Sequence, residues 1–191
     1  SNYIVKITPG FGSTNEEYDI TTESEQEEQP RTISRRVMCE DLGTTDDFDF
    51  NDVVFDVTYS GKEVRTKTTT TKKKKNTEEI ISTTVTYTDW AVDGDGWSAT
   101  ITLQASGGTL PIYVENLDNA KTKYECHEYL LGANHAQLKM GEKYNPINVG
   151  ANVNNIAAKA LPTVTGLNTA NPDDINIIVY SANGDRANNQ L

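Results

Sequence analysis

No stretch of this sequence approaches the ~20 consecutive apolar residues that a transmembrane helix needs, so the chain is expected to carry no membrane-spanning segment. Cysteine is nearly absent: two in 191 residues, Cys39 and Cys126, are too few for a disulfide scaffold. They either pair with each other or stand as two buried free thiols; spacing does not decide between the two. Histidine is equally sparse, and with no His/Cys cluster a zinc site is not expected. Basic residues are outnumbered, 17 Lys and Arg against 28 Asp and Glu, for a net charge of −11. That balance argues against nucleic acid as a partner, because phosphate binding needs a basic surface. It suits a protein that binds cations, or neutral ligands such as glycans. The start of the sequence shows no secretory signal. Ser1-Asn2 reads as a remnant of expression, and the chain as a piece of something longer.

What the sequence does contain favours strands. Thr, Val, Ile, Tyr, Asn and Gly are abundant and helix formers are few, which predicts an all-β architecture. The length fits a single domain over residues 1–191 with a real core. β-branched alternation marks strands at 3–7, 32–38, 52–59, 80–90, 97–104, 109–114, 161–167 and 174–181. About eight strands separated by turn signals predict a β-sandwich, jelly-roll-like, with long loops and at most one short helix within Lys123–Leu131. The acid-rich run from Thr21 to Pro30 has little to offset the entropy of ordering and predicts a mobile loop over 20–31. The Thr/Lys segment reads as an exposed hairpin at 62–78, its lysines blunting edge pairing. Asp93-Gly94-Asp95-Gly96 reads as a tight turn, because glycine supplies positive φ.

The densest chemistry lies between Val37 and Gly61, where seven carboxylates occur without one Lys or Arg. Crowded negative charge threaded with Phe and Val, and leading into a strand, is most simply reconciled with order by a bound cation. Calcium takes six to eight hard oxygen ligands at about 2.3–2.6 Å, and Glu40, Asp41, Asp47, Asp49, Asn51 and Asp52 supply such oxygens. Asp47, Asp49 and Asn51 repeat the spacing that opens an EF-hand loop. Asp52 then stands where that loop needs glycine, and Thr58 where it needs glutamate, so this is not an EF-hand. Fully extended, Asp47 and Asn51 would lie nearly ~14 Å apart, too far for one ion. The segment is therefore expected to curl, with the strand starting near Asp52 and with Glu40 and Asp41 as co-ligands. The competing reading is an acidic surface turn, with Asp as cap and turn former.

Cys39-Glu40-Asp41-Leu42-Gly43, followed by the run from Asp46 to Val57 (Asp-Asp-Phe-Asp-Phe-Asn-Asp-Val-Val-Phe-Asp-Val), resembles the LruC-type domain of surface and secreted proteins of Bacteroides and other bacteria. The stretch from Ile101 to Val114 and the His127-Glu128 pair agree with it, so the resemblance covers roughly Arg36 to Tyr180. It implies a secreted β-rich protein, outside the cell or on the outer-membrane surface and lipid-anchored in its full-length form, with a calcium site at the six residues named above. Two departures stand out. Residues 66–77 look like an insertion, and a C-terminal portion expected after Leu191 is absent.

Three function classes follow. The first is a calcium-stabilised, non-enzymatic cell-surface module with an adhesion or structural role, its partner another surface protein. The second is a carbohydrate-binding module of a glycan-capture system, with Trp90, Trp97, Tyr113, Tyr124 and Tyr129 as stacking platforms. Exposed, coplanar rings in a groove would favour glycan; buried rings would favour the structural role. The third is a hydrolase, which needs a paired-carboxylate cleft that the sequence does not announce. Cys126 beside His127-Glu128 could suggest a nucleophile with its base, but a surface helix turn accounts for the same residues. Oligomeric state is not legible.

Overall fold

The computed structural model describes residues 16–39, 53–107, 111–132, 147–148, 156–169, 171–172 and 175–181. Within them the chain is all-β and sandwich-like, in antiparallel sheets with one short helix. The strands are β1 (Tyr18–Cys39), β2 (Val53–Lys74), β3 (Ile80–Tyr87), β4 (Ala91–Ser106), β5 (Ile112–Glu115), β6 (Lys123–Glu125), β7 (Ile147–Asn148), β8 (Lys159–Ala160), β9 (Val164–Leu167) and β10 (Val179–Ser181). The helix is α1 (Cys126–Leu131). In place of the single domain expected, the chain divides into two units, Ser1–Pro30 with Lys62–Asp93 and Arg31–Gly61 with Gly94–Leu191. The strand expected at residues 3–7 lies outside the described residues.

The second unit holds the core. Residues 53–59 of β2 alternate buried and half-buried, with Val53, Phe55, Val57 and Tyr59 fully buried. β4 repeats the pattern with Trp97, Ala99, Ile101, Leu103 and Ala105 inward. This two-residue period places every second side chain on one face. Each such Val, Leu, Ile or Phe gains about 1.5–3 kcal/mol from leaving water. One sheet runs β1-β2-β4-β7, with β8 and β9 also pairing with β4; a second runs β10-β5-β6. The second sheet and its surroundings add Ile112, Val114, Cys126, Leu130, Leu161, Val179 and Tyr180 to the buried set. The helix expected within Lys123–Leu131 is present, one strand later in starting, and ends at Gly132 with φ +61°. The final strand is shorter than the period suggested, Val179–Ser181 only.

The first unit has no comparable core. It is a ribbon in which residues 18–30 of β1, 62–74 of β2 and then β3 lie side by side. β3 is exposed along all eight residues, and β2 is half-buried throughout this part. Hydrogen-bond ladders and charge pairs hold it. β2 meets β3 from Lys67 opposite Tyr87 to Lys72 opposite Ser82, then slips by one residue to pair Lys73 with Ile80. Across β1 and β2, Lys62 pairs with Glu28 at 2.8 Å, Arg65 with Glu27 at 2.8 Å and Lys67 with Glu25, and just beyond the strand ends Lys75 pairs with Glu17 at 3.1 Å. Arg65 also stacks on Tyr87 and Trp90, 4.1 and 4.6 Å from their ring centres.

Three expectations are corrected here. Residues 20–31 are not a mobile loop but lie within β1, because their carboxylates face the cations of β2. The lysines of the Thr/Lys hairpin do not blunt an edge, since β2 is the central strand of the ribbon. Asp93-Gly94-Asp95-Gly96 makes no hairpin turn: all four lie inside β4, which pairs with β2 as β3 does, so the chain needs no reversal there. Positive φ is nevertheless used at Gly96, at +73°.

Gly61 sits flat against the indole of Trp97, and a Cβ there would overlap the ring atoms. Trp97 is fully buried and has no room to yield. Gly61→Ala is expected to destabilise the protein by about 1–3 kcal/mol through overpacking, read as a lower urea midpoint. An unchanged midpoint would contradict this packing.

Candidate functional site

Glu40, Asp41, Asp47, Asp49, Asn51 and Asp52 all lie outside the described residues. The strands that bracket them are well defined. Cross-strand contacts between Ser34 and Thr58 and between Arg36 and Asp56 fix the register of β1 against β2. Continuing that register sets Cys39, the end of β1, level with Val53, the start of β2. The six residues fall in sequence between these two strands. β2 is described from Val53 onward, and the expected start near Asp52 lies outside the described residues.

Of the seven carboxylates in this stretch, Asp56 is described, and it is neutralised by protein. Arg36 grips it with both arms, Nε to Oδ1 at 2.7 Å and Nη2 to Oδ2 at 2.9 Å. Gln104 donates to the same Oδ2 at 3.1 Å. The Arg36 hydrogen bonds hold the Asp56 carboxyl below the ordinary aspartate range. Asp56 thus has a partner without any ion. Among the described residues no group of three or more His, Cys, Asp or Glu could hold a metal ion.

The sequence pair His127-Glu128 resolves differently from either earlier reading. His127 is fully buried. Its Nε2 lies 2.9 Å from the Gly107 carbonyl oxygen, which can only accept, so that nitrogen carries hydrogen. Its Nδ1 lies 2.7 Å from Glu125 Oε1. Both ring nitrogens are thereby engaged away from Cys126. Glu125 is also the N-cap of α1, with Oε2 accepting from Glu128 N at 2.6 Å, and its Oε1 accepts from Ile112 N at 3.2 Å. One carboxylate therefore ties the helix start, β5 and the buried imidazole together. Cys126 is buried beside it, and burial pushes its thiol well above the ordinary value, with the Glu125 carboxylate and Cys39 adding to the push. A thiol so placed resists forming thiolate. Both cysteines are free thiols. Glu125 escaped sequence reasoning because glutamate is not a favoured N-cap, and nothing in the chain marks its partners.

The five aromatic platforms are mostly occupied by their own neighbours. Trp97 is in the core. Trp90 carries the Arg65 guanidinium. Tyr113 stacks on Tyr180 at 5.4 Å with an interplanar angle of 20°. Tyr124 and Tyr129 meet edge to face at 5.1 Å, and the Tyr129 hydroxyl donates to the Ala160 carbonyl at 2.9 Å. These contacts leave no shared plane for a sugar ring across the five.

No protein-family model, curated protein or solved structure matches this chain.

Removing the charge at the centre of the buried cluster has a defined cost. Glu125→Gln keeps the shape but alters the acceptor facing His127 and the helix cap, and a loss of about 1–3 kcal/mol is expected in chemical denaturation. A variant as stable as the parent would show that the cluster is dispensable. Native alkylation at neutral pH is expected to label half-buried Cys39 well before Cys126. Equal labelling rates, read by mass mapping, would contradict the burial of Cys126.

Proposed function

We propose that this chain is a calcium-stabilised, non-enzymatic β-sandwich module of the bacterial surface, with an adhesion or structural role, lipid-anchored in its full-length form. The observation that supports the reading is the β1–β2 register, which sets Cys39 and Val53, the described residues that flank the six oxygen-bearing ones in sequence, on adjacent strands. Five carboxylates and one amide are the hard donors calcium prefers. Arg36 already satisfies Asp56, so the remaining negative charge of the connection is what a cation would offset. Glu40, Asp41, Asp47, Asp49, Asn51 and Asp52 would hold the ion, and its part is to order the connection. The surface location rests on the resemblance of the Cys39–Val57 motif to the LruC-type domain.

The aromatic contacts weigh against the carbohydrate-binding alternative, since rings committed to Arg65, Tyr180 and one another offer a sugar no ready platform. The hydrolase reading loses its nucleophile, because Cys126 is buried and the ring nitrogens of His127 face Glu125 and Gly107.

Calcium at about a hundred times its Kd would add ~2.7 kcal/mol of stability, worth roughly 5–10 °C in Tm for a chain of this size. Dialysis against chelator, followed by thermal scans with and without added calcium, is expected to show that shift, and Asp47→Asn with Asp49→Asn to abolish it. No shift on returning calcium would sink the metal reading. A glycan array probed with and without calcium checks the rest: a specific glycan signal lost in Tyr113→Ala would replace the structural role with carbohydrate binding.

A further inference from the structure

The ribbon of the first unit has two outer edges, and they are built differently. β1 ends the strand order on one side. Over its ribbon part it carries Glu23, Glu25, Glu27, Glu28 and Pro30, the residue types that keep strand edges from pairing. On the other side β3 pairs with β2 alone among the described residues. Its sequence, Ile-Ile-Ser-Thr-Thr-Val-Thr-Tyr, holds no charge, no proline and no glycine. Every residue is exposed, including Ile80 at 60%, Ile81 at 42%, Val85 at 43% and Tyr87 at 50%. Thr88 N bonds the opposite Thr66 carbonyl at 3.0 Å, so in the same register Ser82, Thr84 and Thr86 turn their backbone groups toward β2. Thr83, Val85 and Tyr87 point theirs outward. A run of high β propensity, regular from Ser82 to Tyr87 and bulged only near Ile81, whose outer edge is unpaired among the described residues and which carries no charge, is a template for another strand.

We propose that the occupant of this edge is β3 of a second copy of the chain, paired antiparallel about a two-fold axis. The charge pattern selects it. β1 is acidic and β2 basic, so neither fits beside a neutral strand as well as β3 itself, with its matching Thr, Val, Ile and Tyr side chains. Symmetry also limits growth: the pairing consumes both open edges and leaves only the guarded β1 edges outermost, which stops assembly at the dimer. In an antiparallel pair about such an axis, outward-facing residues oppose outward-facing residues. That puts Thr83 or Thr84 on the axis, nearest the middle of the strand. Thr83 takes it, because its backbone groups face outward and the two copies can exchange hydrogen bonds there. The contact is a single strand edge, and the dimer is accordingly weak and concentration-dependent.

Sedimentation velocity of the whole chain over a hundredfold concentration range tests this. A twofold rise in mass is expected, and Thr83→Lys with Val85→Lys should hold the chain as monomer while far-UV circular dichroism keeps its strand signal. Thr83→Cys should form an intermolecular disulfide under mild oxidation that the parent does not, since a paired residue at the axis has a Cα separation of about 5.5 Å. A chain that stays monomeric throughout, a dimer that the lysine variant leaves intact, or Thr83→Cys chains that fail to cross-link would overturn the proposal.

Discussion

The register between β1 and β2 governs the rest of the molecule. In the first unit it sets Glu25 opposite Lys67 and Glu27 opposite Arg65, and brings Glu28 within diagonal reach of Lys62. In the second it brings Arg36 onto Asp56 and sets the inward face of β2 with Val53, Phe55, Val57 and Tyr59. A slip of one residue would turn that apolar face to water and put like charges together. Burial and charge specify the same alignment by different means.

Parts of this were legible in the sequence and parts were not, for reasons that differ residue by residue. Residues 53–59 and 97–105 announce themselves, because a half-buried strand writes its burial as a two-residue period. The helix stop at Gly132 is equally local. The run from Thr21 to Pro30 misleads, because what orders it is remote: Glu25 meets Lys67 across 42 positions and Glu28 meets Lys62 across 34. Read alone, that run is solvated charge; read with its partner strand, it is half of a ladder. Asp93-Gly94-Asp95-Gly96 misleads in the opposite sense. Its turn chemistry is real, and Gly96 adopts positive φ, but β4 carries straight through it.

The candidate site divides along the same line. The calcium proposal rests on residue types and spacing alone, since Glu40, Asp41, Asp47, Asp49, Asn51 and Asp52 lie outside the described residues. The junction at the start of α1 could not be read. Glu125 joins Ile112, Glu128 and His127, residues whose proximity depends on how β5, β6 and the helix fold together. Sequence pattern pointed to His127 and Glu128 as neighbours; the fold made Glu125 the partner instead.

The contrast between a buried core and a coreless ribbon means that the two units answer to different solution conditions. The hydrophobic contribution of Trp97, Phe55 and Leu103 is nearly indifferent to simple salt and shifts with temperature. The exposed ion pairs of the ribbon each contribute little, and they are screened within ~10 Å at 0.1 M ionic strength. Backbone amides between Lys62 and Tyr87 should therefore exchange with solvent faster as ionic strength rises, while those of Val53–Tyr59 hold their protection. Ionic strength acts on the ribbon as heat acts on the core.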